Sequence, residues 1–175
     1  MIARYRELVA KVDAAFNAIQ AQHTHAMKCG RGCAACCKPK LTVCAVERAA
    51  IRDYLVAQPD TAAAVSANAA ADPHRGKACA MLDSSGSCLI YPVRPLVCRS
   101  HGAPLSYKPT KGLEQRDVCP LNFTDGDLAS LPPNDFINLD TLNTLLALIN
   151  KAFAPAASLA RFPLDLAGIT GNDPA

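Results

Sequence analysis

Nine cysteines stand at positions 29, 33, 36, 37, 44, 79, 88, 98 and 119 of a 175-residue chain. Four of them fall between positions 29 and 37. No other feature constrains the fold as strongly, because each sulfur must be paired, buried or put to chemical use. An odd total suits a disulfide framework badly. The opening run MIARYRELVAKVDAAF is interrupted by Glu7, Lys11 and Asp13, so it lacks the apolar core of a signal peptide. The most apolar later stretch, 142–159, is broken by Asn143, Asn150, Lys151 and Pro155 and is too short and polar for a bilayer. A cytoplasmic protein is expected on these grounds. In a reducing cytosol cysteines serve as metal ligands or redox groups more readily than as disulfides.

The length suits one small domain, and a hydrophobic content of 50 % supplies its core. Aromatic residues make up only 5 %, and alanine is abundant, which favours helix over sheet. A net charge of +3 gives no electrostatic basis for a nucleic-acid or membrane partner, and neither is expected.

Tyr5, Leu8, Val9, Val12, Phe16, Ile19 and Ala26 recur at three- and four-residue steps, which predicts a helix over about 2–27. His23 and His25, near its end, read as surface residues that offset the helix dipole. Gly30, Gly32 and Pro39 make 29–39 a turn-rich knuckle. A second helix is predicted over 42–57, with Thr42 as N-cap and Val43, Val46, Ala50, Ile51, Tyr54 and Leu55 as its buried stripe. A third, alanine-rich helix covers 60–71 and ends at Asp72, Pro73, His74, Arg75 and Gly76. Between 79 and 119, Gly86, Pro92, Pro95, Pro104 and Pro109 forbid long helices. Short extended pieces are expected around 89–91, with a turn at 83–86. A last helix over about 135–153 turns Phe136, Leu139, Leu142, Leu145, Leu146 and Ile149 inward, and the chain is expected to fray from Gly168.

The spacing of Cys29, Cys33 and Cys36 lets three thiolates converge from one tight turn. Gly30 and Gly32 let backbone N–H groups approach the sulfurs, and Arg31, Lys38, Arg94 and Arg99 add positive charge nearby in sequence. Such surroundings favour the thiolate, which a soft metal requires. Adjacent Cys36 and Cys37 diverge, by about 100° in a helix. They therefore serve two metals, or one serves a metal while the other bridges, resolves or packs as a small hydrophobe. Cys44, inside a predicted helix among Val43, Ala45 and Val46, reads as a packed thiol. The candidate metal ligands are Cys29, Cys33, Cys36, Cys37, Cys79, Cys88, Cys98 and Cys119. The fold expected is mainly α with an irregular, loop-rich metal-binding centre: a small single domain, 1–175, with three to four helices around a cysteine cluster.

The pattern Cys29-x3-Cys33-x2-Cys36-Cys37 is followed by Cys79-Ala80-Met81-Leu82-Asp83. A run from Cys88 to Cys98-Arg99 comes next, with Tyr91, Arg94 and Pro95 between them, and Cys119-Pro120 closes it. This resembles the YkgJ-type cysteine-cluster family, over about 29–120, and the segment around Glu47 is similar as well. The resemblance implies a domain that chelates zinc or iron. Cys44 has no counterpart in the family pattern, and His101 is a departure, either an extra ligand or none. One family member, the flagellin lysine methylase, pairs the cluster with S-adenosylmethionine chemistry through an iron–sulfur centre. It is much longer, and its activity does not carry over to 175 residues.

Two metal readings stay open. Two zinc ions with four thiolates each would use all eight candidates, and zinc binding adds roughly 10–16 kcal/mol to the folding of finger peptides. The cysteines, however, do not form the paired CxxC motifs of zinc ribbons. An iron–sulfur cluster is favoured by the family resemblance, and Cys119-Pro120 echoes the Cys-Pro that closes ferredoxin motifs. CxxxCxxC also occurs in radical S-adenosylmethionine enzymes, but this chain shows no strand–helix alternation for their barrel. Nothing resembles a nucleotide loop or a serine elbow. Tyr91, Arg94 and Arg99 either bind an anionic substrate or cofactor beside the metal, or the arginines form buried salt bridges with Glu47 or Asp83. The function expected is that of a cysteine-cluster metal-binding protein. The alternatives are an enzyme using the centre for methyl transfer or redox chemistry, and a metal-trafficking or redox-relay protein.

Overall fold

In the computed structural model, which describes residues 2–30, 32–37, 40–71, 78–110, 112–126 and 128–171, helix dominates. In chain order the elements are α1 (Ile2–Gln22), β1 (Thr42–Val43), α2 (Ala45–Ala57), α3 (Pro59–Ala71), α4 (Leu96–Ser100), β2 (Leu105–Tyr107), β3 (Gln115–Asp117), β4 (Ile137–Asn138), α5 (Leu139–Phe153), β5 (Phe162–Pro163) and α6 (Leu166–Thr170). The architecture is mainly α, as the composition implies. The proposed helix stop from Asp72 to Gly76 and the charges of Arg31 and Lys38 lie outside the described residues. The chain groups into two compact units. The first comprises Met1–Ile2, Arg31–Pro95 and Ile149–Ala175, and the second Ala3–Gly30 and Leu96–Leu148.

The first unit is organised by α2, which packs on α3 and α6. Its core includes Val43, Val46, Ile51, Leu55, Val65, Met81, Ile90 and Ile169. Thr42 is not the N-cap of α2. It pairs with Pro163 in the antiparallel β1–β5 ladder, and Arg161 binds both its carbonyl (Nη2, 2.7 Å) and its hydroxyl (Nε, 3.3 Å). Cys44 takes the N-cap position instead, and its amide donates to Glu47 Oε2 at 3.0 Å, one arm of a capping box. The Val46 amide donates to the buried Asn150 Oδ1 at 3.0 Å, so the α2 N-terminus is also satisfied by a side chain from α5. Ala50 and Tyr54 are only half-buried, while Glu47 and Arg48 are fully buried.

Arg48 explains why the chain does not fray at Gly168. Its Nε donates to the Gly168 carbonyl at 2.7 Å, its Nη2 donates to the Gly171 carbonyl, and its guanidinium lies 4.3 Å from the centre of the Phe162 ring. Asp165 caps α6 by accepting from the Gly168 amide at 2.7 Å, and Ile169 is buried. The extended pieces expected around 89–91 are absent among the described residues. A single bridge, Leu82 to Cys88, is followed by a 3-10 turn at Tyr91–Val93. Pro92 and Pro95 remove the donors that a longer ladder would need. The turn at 83–86 does form: Asp83 Oδ1 accepts from the amides of Ser85 (2.8 Å) and Ser87 (2.9 Å), and Gly86 has φ +79°.

The second unit buries Tyr5, Leu8, Val12 and Ile19 of α1 with Met27, Leu96, Ala103, Ile137 and Leu142. α1 stops at Gln22 rather than at 27, and His23 O accepts from both Ala26 N and Met27 N in the closing turn. His23 is no surface residue. Its Nε2 lies 2.7 Å from Asp135 Oδ2 and its ring packs against Phe123, with centroids 5.2 Å apart. β2 sits between antiparallel β3 and parallel β4. Because β4 uses Ile137 and Asn138 for this pairing, and a 3-10 turn covers Pro133–Asp135, the last helix begins at Leu139 rather than 135. Leu142 is buried, but Leu145, expected to face inward, is 42 % exposed. It lies on the flank of the stripe through Leu139, Leu142 and Leu146, where the 3.6-residue turn carries it outward. Phe136, Leu139, Leu146 and Ile149 are half-buried.

Candidate metal centre

Of the eight candidate ligands, Cys33, Cys36, Cys37, Cys79 and Cys88 belong to the first unit, and Cys29, Cys98 and Cys119 to the second. All nine cysteines lie among the described residues, and none is joined in a disulfide.

In the first unit the knuckle turns at Gly32, whose φ of +83° favours glycine. The Cys37 amide donates to Ala34 O at 2.9 Å, and the Cys79 amide donates to Cys37 O at 3.0 Å. The backbone thus ties the knuckle directly to Cys79, the next candidate ligand in sequence. Cys33, Cys36 and Cys37 are half-buried, and Cys79 is buried. Burial pushes the Cys88 thiol above its usual pKa, the Ile90 backbone N–H pulls it down, and the neighbouring Cys79 pushes it up again. A metal cation overrides such a shift, since coordination displaces the thiol proton outright. The Arg94 guanidinium stacks 3.8 Å from the centre of the Tyr91 ring, and Tyr91 is 60 % exposed.

In the second unit Cys29 is met by the side chain of Asn122, whose Nδ2 donates to Cys29 Sγ at 3.2 Å. Gly102 stands beside the same sulfur, where a Cβ would come within 2.5 Å of Cys29 Sγ; its φ is +101°. Cys98 lies half-buried in α4. The next residue, Arg99, is buried, and its Nη1 pairs with Asp13 Oδ2 at 2.6 Å. The carboxylate it meets therefore comes from α1, where the sequence had suggested Glu47 or Asp83. Cys119 is half-buried, and its carbonyl accepts from the Asn122 amide at 2.8 Å. His101 is exposed, with Nδ1 3.2 Å from the Val97 carbonyl one turn earlier.

Cys44 stands apart from these eight. It is 4 % exposed, and its pKa is pushed up to about 12, first by burial and then by the adjacent Glu47 carboxylate. A thiol held neutral in this way packs as a small hydrophobe.

Among the described residues no three His, Cys, Asp or Glu side chains are grouped so as to hold a metal ion. The chemistry of the surroundings nevertheless suits one. The candidate donors are sulfur throughout, a buried amide N–H is aimed at Cys29, and the missing side chain of Gly102 leaves room at that sulfur. Asn122, Gly102 and Asp13 were not singled out by sequence reasoning. An asparagine three residues after a cysteine and a glycine in a loop carry no local signature of contact with Cys29.

Also among the described residues, no helix is long and apolar enough to cross a membrane. Residues 28–120 match the family model described as "CxxCxxCC: Putative zinc- or iron-chelating domain". The matched stretch is more than half of the chain and contains all nine cysteines. No curated protein and no solved structure matches the chain.

Proposed function

The chain belongs to the CxxCxxCC family of zinc- or iron-chelating domains, and we propose that four of the thiolates among Cys29, Cys33, Cys36, Cys37, Cys79, Cys88, Cys98 and Cys119 hold an iron–sulfur cluster, with the rest serving a second centre or remaining as thiols. The observation that carries this reading is the family match over the stretch that contains all of these sulfurs. When bound, such a centre supplies one-electron redox chemistry or an open Lewis-acidic iron. The chain's own residues supply the rest. Thiol protons pass to solvent as the sulfurs bind. The Ile90 N–H at Cys88 and the Asn122 N–H at Cys29 offset thiolate charge. Arg94, stacked on the exposed Tyr91, is the group we assign to an anionic substrate or cofactor of the centre, should it act as an enzyme. Arg99, buried against Asp13, steadies the turn that carries Cys98.

Zinc is the second reading. It is favoured by the irregular stretches 78–95 and 101–126, whose few backbone ladders gain most from a metal staple.

Anaerobic purification with iron, zinc and acid-labile sulfide analysis tests both. The expected result is iron with matching sulfide and broad visible absorption. A colourless protein retaining about two zinc ions overturns the iron–sulfur reading, and a protein without either metal overturns both. Chelator challenge then separates uses. Metal lost together with helicity marks a structural staple, whereas metal lost from an intact fold argues for a carrier.

A further inference from the structure

We propose that Asn122 is the positioning residue for the metal ligands of the second unit: its side-chain amide holds Cys29 Sγ in place and tunes the donor strength of that thiolate. The inference rests on the reading of Cys29 as a ligand and names a residue outside the cysteine motif.

Asn122 is 2 % exposed, and both ends of its amide are engaged. Nδ2 donates to Cys29 Sγ at 3.2 Å and to the Gly102 carbonyl at 2.6 Å, while Oδ1 accepts from the Lys28 amide at 2.7 Å. Its own backbone N–H donates to the Cys119 carbonyl at 2.8 Å. One residue thus joins three segments: its side chain reaches the backbone just before Cys29 and the turn that follows α4 with Cys98, and its backbone closes the turn begun by Cys119. Each of the three segments carries one candidate ligand. The glycine at 102 completes the cradle, since any Cβ there would press on Cys29 Sγ at 2.5 Å.

A role in folding alone does not require an N–H directed at sulfur. The Gly102 and Lys28 bonds already satisfy one donor and the acceptor of the amide. The remaining N–H lies against a thiol, a weak acceptor when protonated and a strong one as a metal-bound thiolate. Such a bond withdraws electron density from the sulfur. It thereby sets ligand strength and, in an iron–sulfur centre, the reduction potential.

The test uses the full chain loaded with Co²⁺, whose thiolate-to-metal charge-transfer band reports sulfur donor strength. Asn122→Asp removes both side-chain donors and places a carboxylate beside the sulfur. Co²⁺ affinity is expected to fall about 10–100-fold and the band to shift, with helicity retained. A measurement that needs no variant accompanies it: in the parent protein loaded with a spin-active cadmium isotope, the Asn122 Nδ2 protons are expected to show scalar coupling to the metal through Cys29 Sγ. Absence of that coupling, or an unchanged band and affinity in a folded Asn122→Asp, overturns the proposal. Cys29→Ser separates the two levels. If it binds Co²⁺ with the parent's affinity and spectrum, Cys29 is no ligand and both readings fall. If it loses affinity while Asn122→Asp does not, only the role of Asn122 falls.

Discussion

The two compact units treat sulfur in opposite ways at two well-defined positions. In the first, Cys44 closes the N-terminus of α2 beside Val43, Val46 and the Glu47 carboxylate, and its thiol is held neutral, with a pKa of about 12. In the second, Cys29 is half-buried and receives an amide N–H from Asn122. Both sulfurs are close to a protein amide or carboxyl, so proximity to a polar group does not distinguish them. The sign of the neighbour does. A carboxylate and apolar burial make a thiol a packing group, whereas a donor aimed at the sulfur prepares an anion. The same comparison applies within the first unit, where Cys88 feels burial and the Ile90 N–H together.

The largest effect is expected where this contrast is sharpest. Cys36→Ser should abolish metal retention, beyond the about 10–100-fold loss typical of an outer-sphere change, while Cys44→Ser should leave metal content unaltered. Metal analysis of the two purified variants checks this, and equal loss from both would break the comparison. Next comes the anchoring of α6. Arg48→Ala strips two glycine carbonyls of their buried donor and removes the stack on Phe162. A destabilisation of about 3 kcal/mol is expected in urea unfolding, with Ile169 losing hydrogen-exchange protection first. Asn150→Ala removes the acceptor for the Val46 amide and the donor to the Ser158 carbonyl. The expected cost is about 1–2 kcal/mol, because a helix N-terminus loses one of its partners.

The smallest effect at neutral pH is expected at Cys44, whose contribution shows instead in alkaline solution. Its folded pKa of about 12 lies above the ordinary 9.0, so the folded state keeps the proton that the unfolded state gives up. The corresponding stability is fully present below pH 9.0 and is lost as the pH rises toward about 12. Cys44→Ser, which installs a common N-cap residue, should change stability at neutral pH by less than about 1 kcal/mol and flatten that alkaline decline. Melting temperatures of the two proteins across this range provide the check, and parallel curves would contradict the neutral assignment of the thiol.

Much of the helical layout was legible in the residues. Tyr5, Leu8, Val12 and Ile19 mark the buried face of α1 by their spacing alone, and Gly86 with Asp83 marks its turn. The misplaced boundaries have specific causes. Thr42 looks like a cap until Phe162 and Pro163 arrive to pair with β1, and residues 135–138 look helical until β2 recruits Ile137 and Asn138. Leu145 fits an apolar stripe by composition, yet nothing in the run of α5 states how wide a face is covered. Asn150 reads as a break in an apolar run and Arg48 carries no local sign of burial, but both are buried on partners distant in sequence, whereas Glu47 is buried on the Cys44 amide only three residues away.

The amino-acid sequence by itself determined the sulfur-rich knuckle, the helical character of most of the chain and the zinc- or iron-chelating family. These follow from spacing and periodicity, which act over a few residues and need no partner. The tertiary structure alone decided that Cys44 caps a helix, that His23 meets Asp135 and that Asn122 attends Cys29. The last two pairs are separated by 112 and 93 positions. A hydrogen bond closed over such a distance leaves no trace in local pattern, because its geometry exists only once the intervening chain has packed.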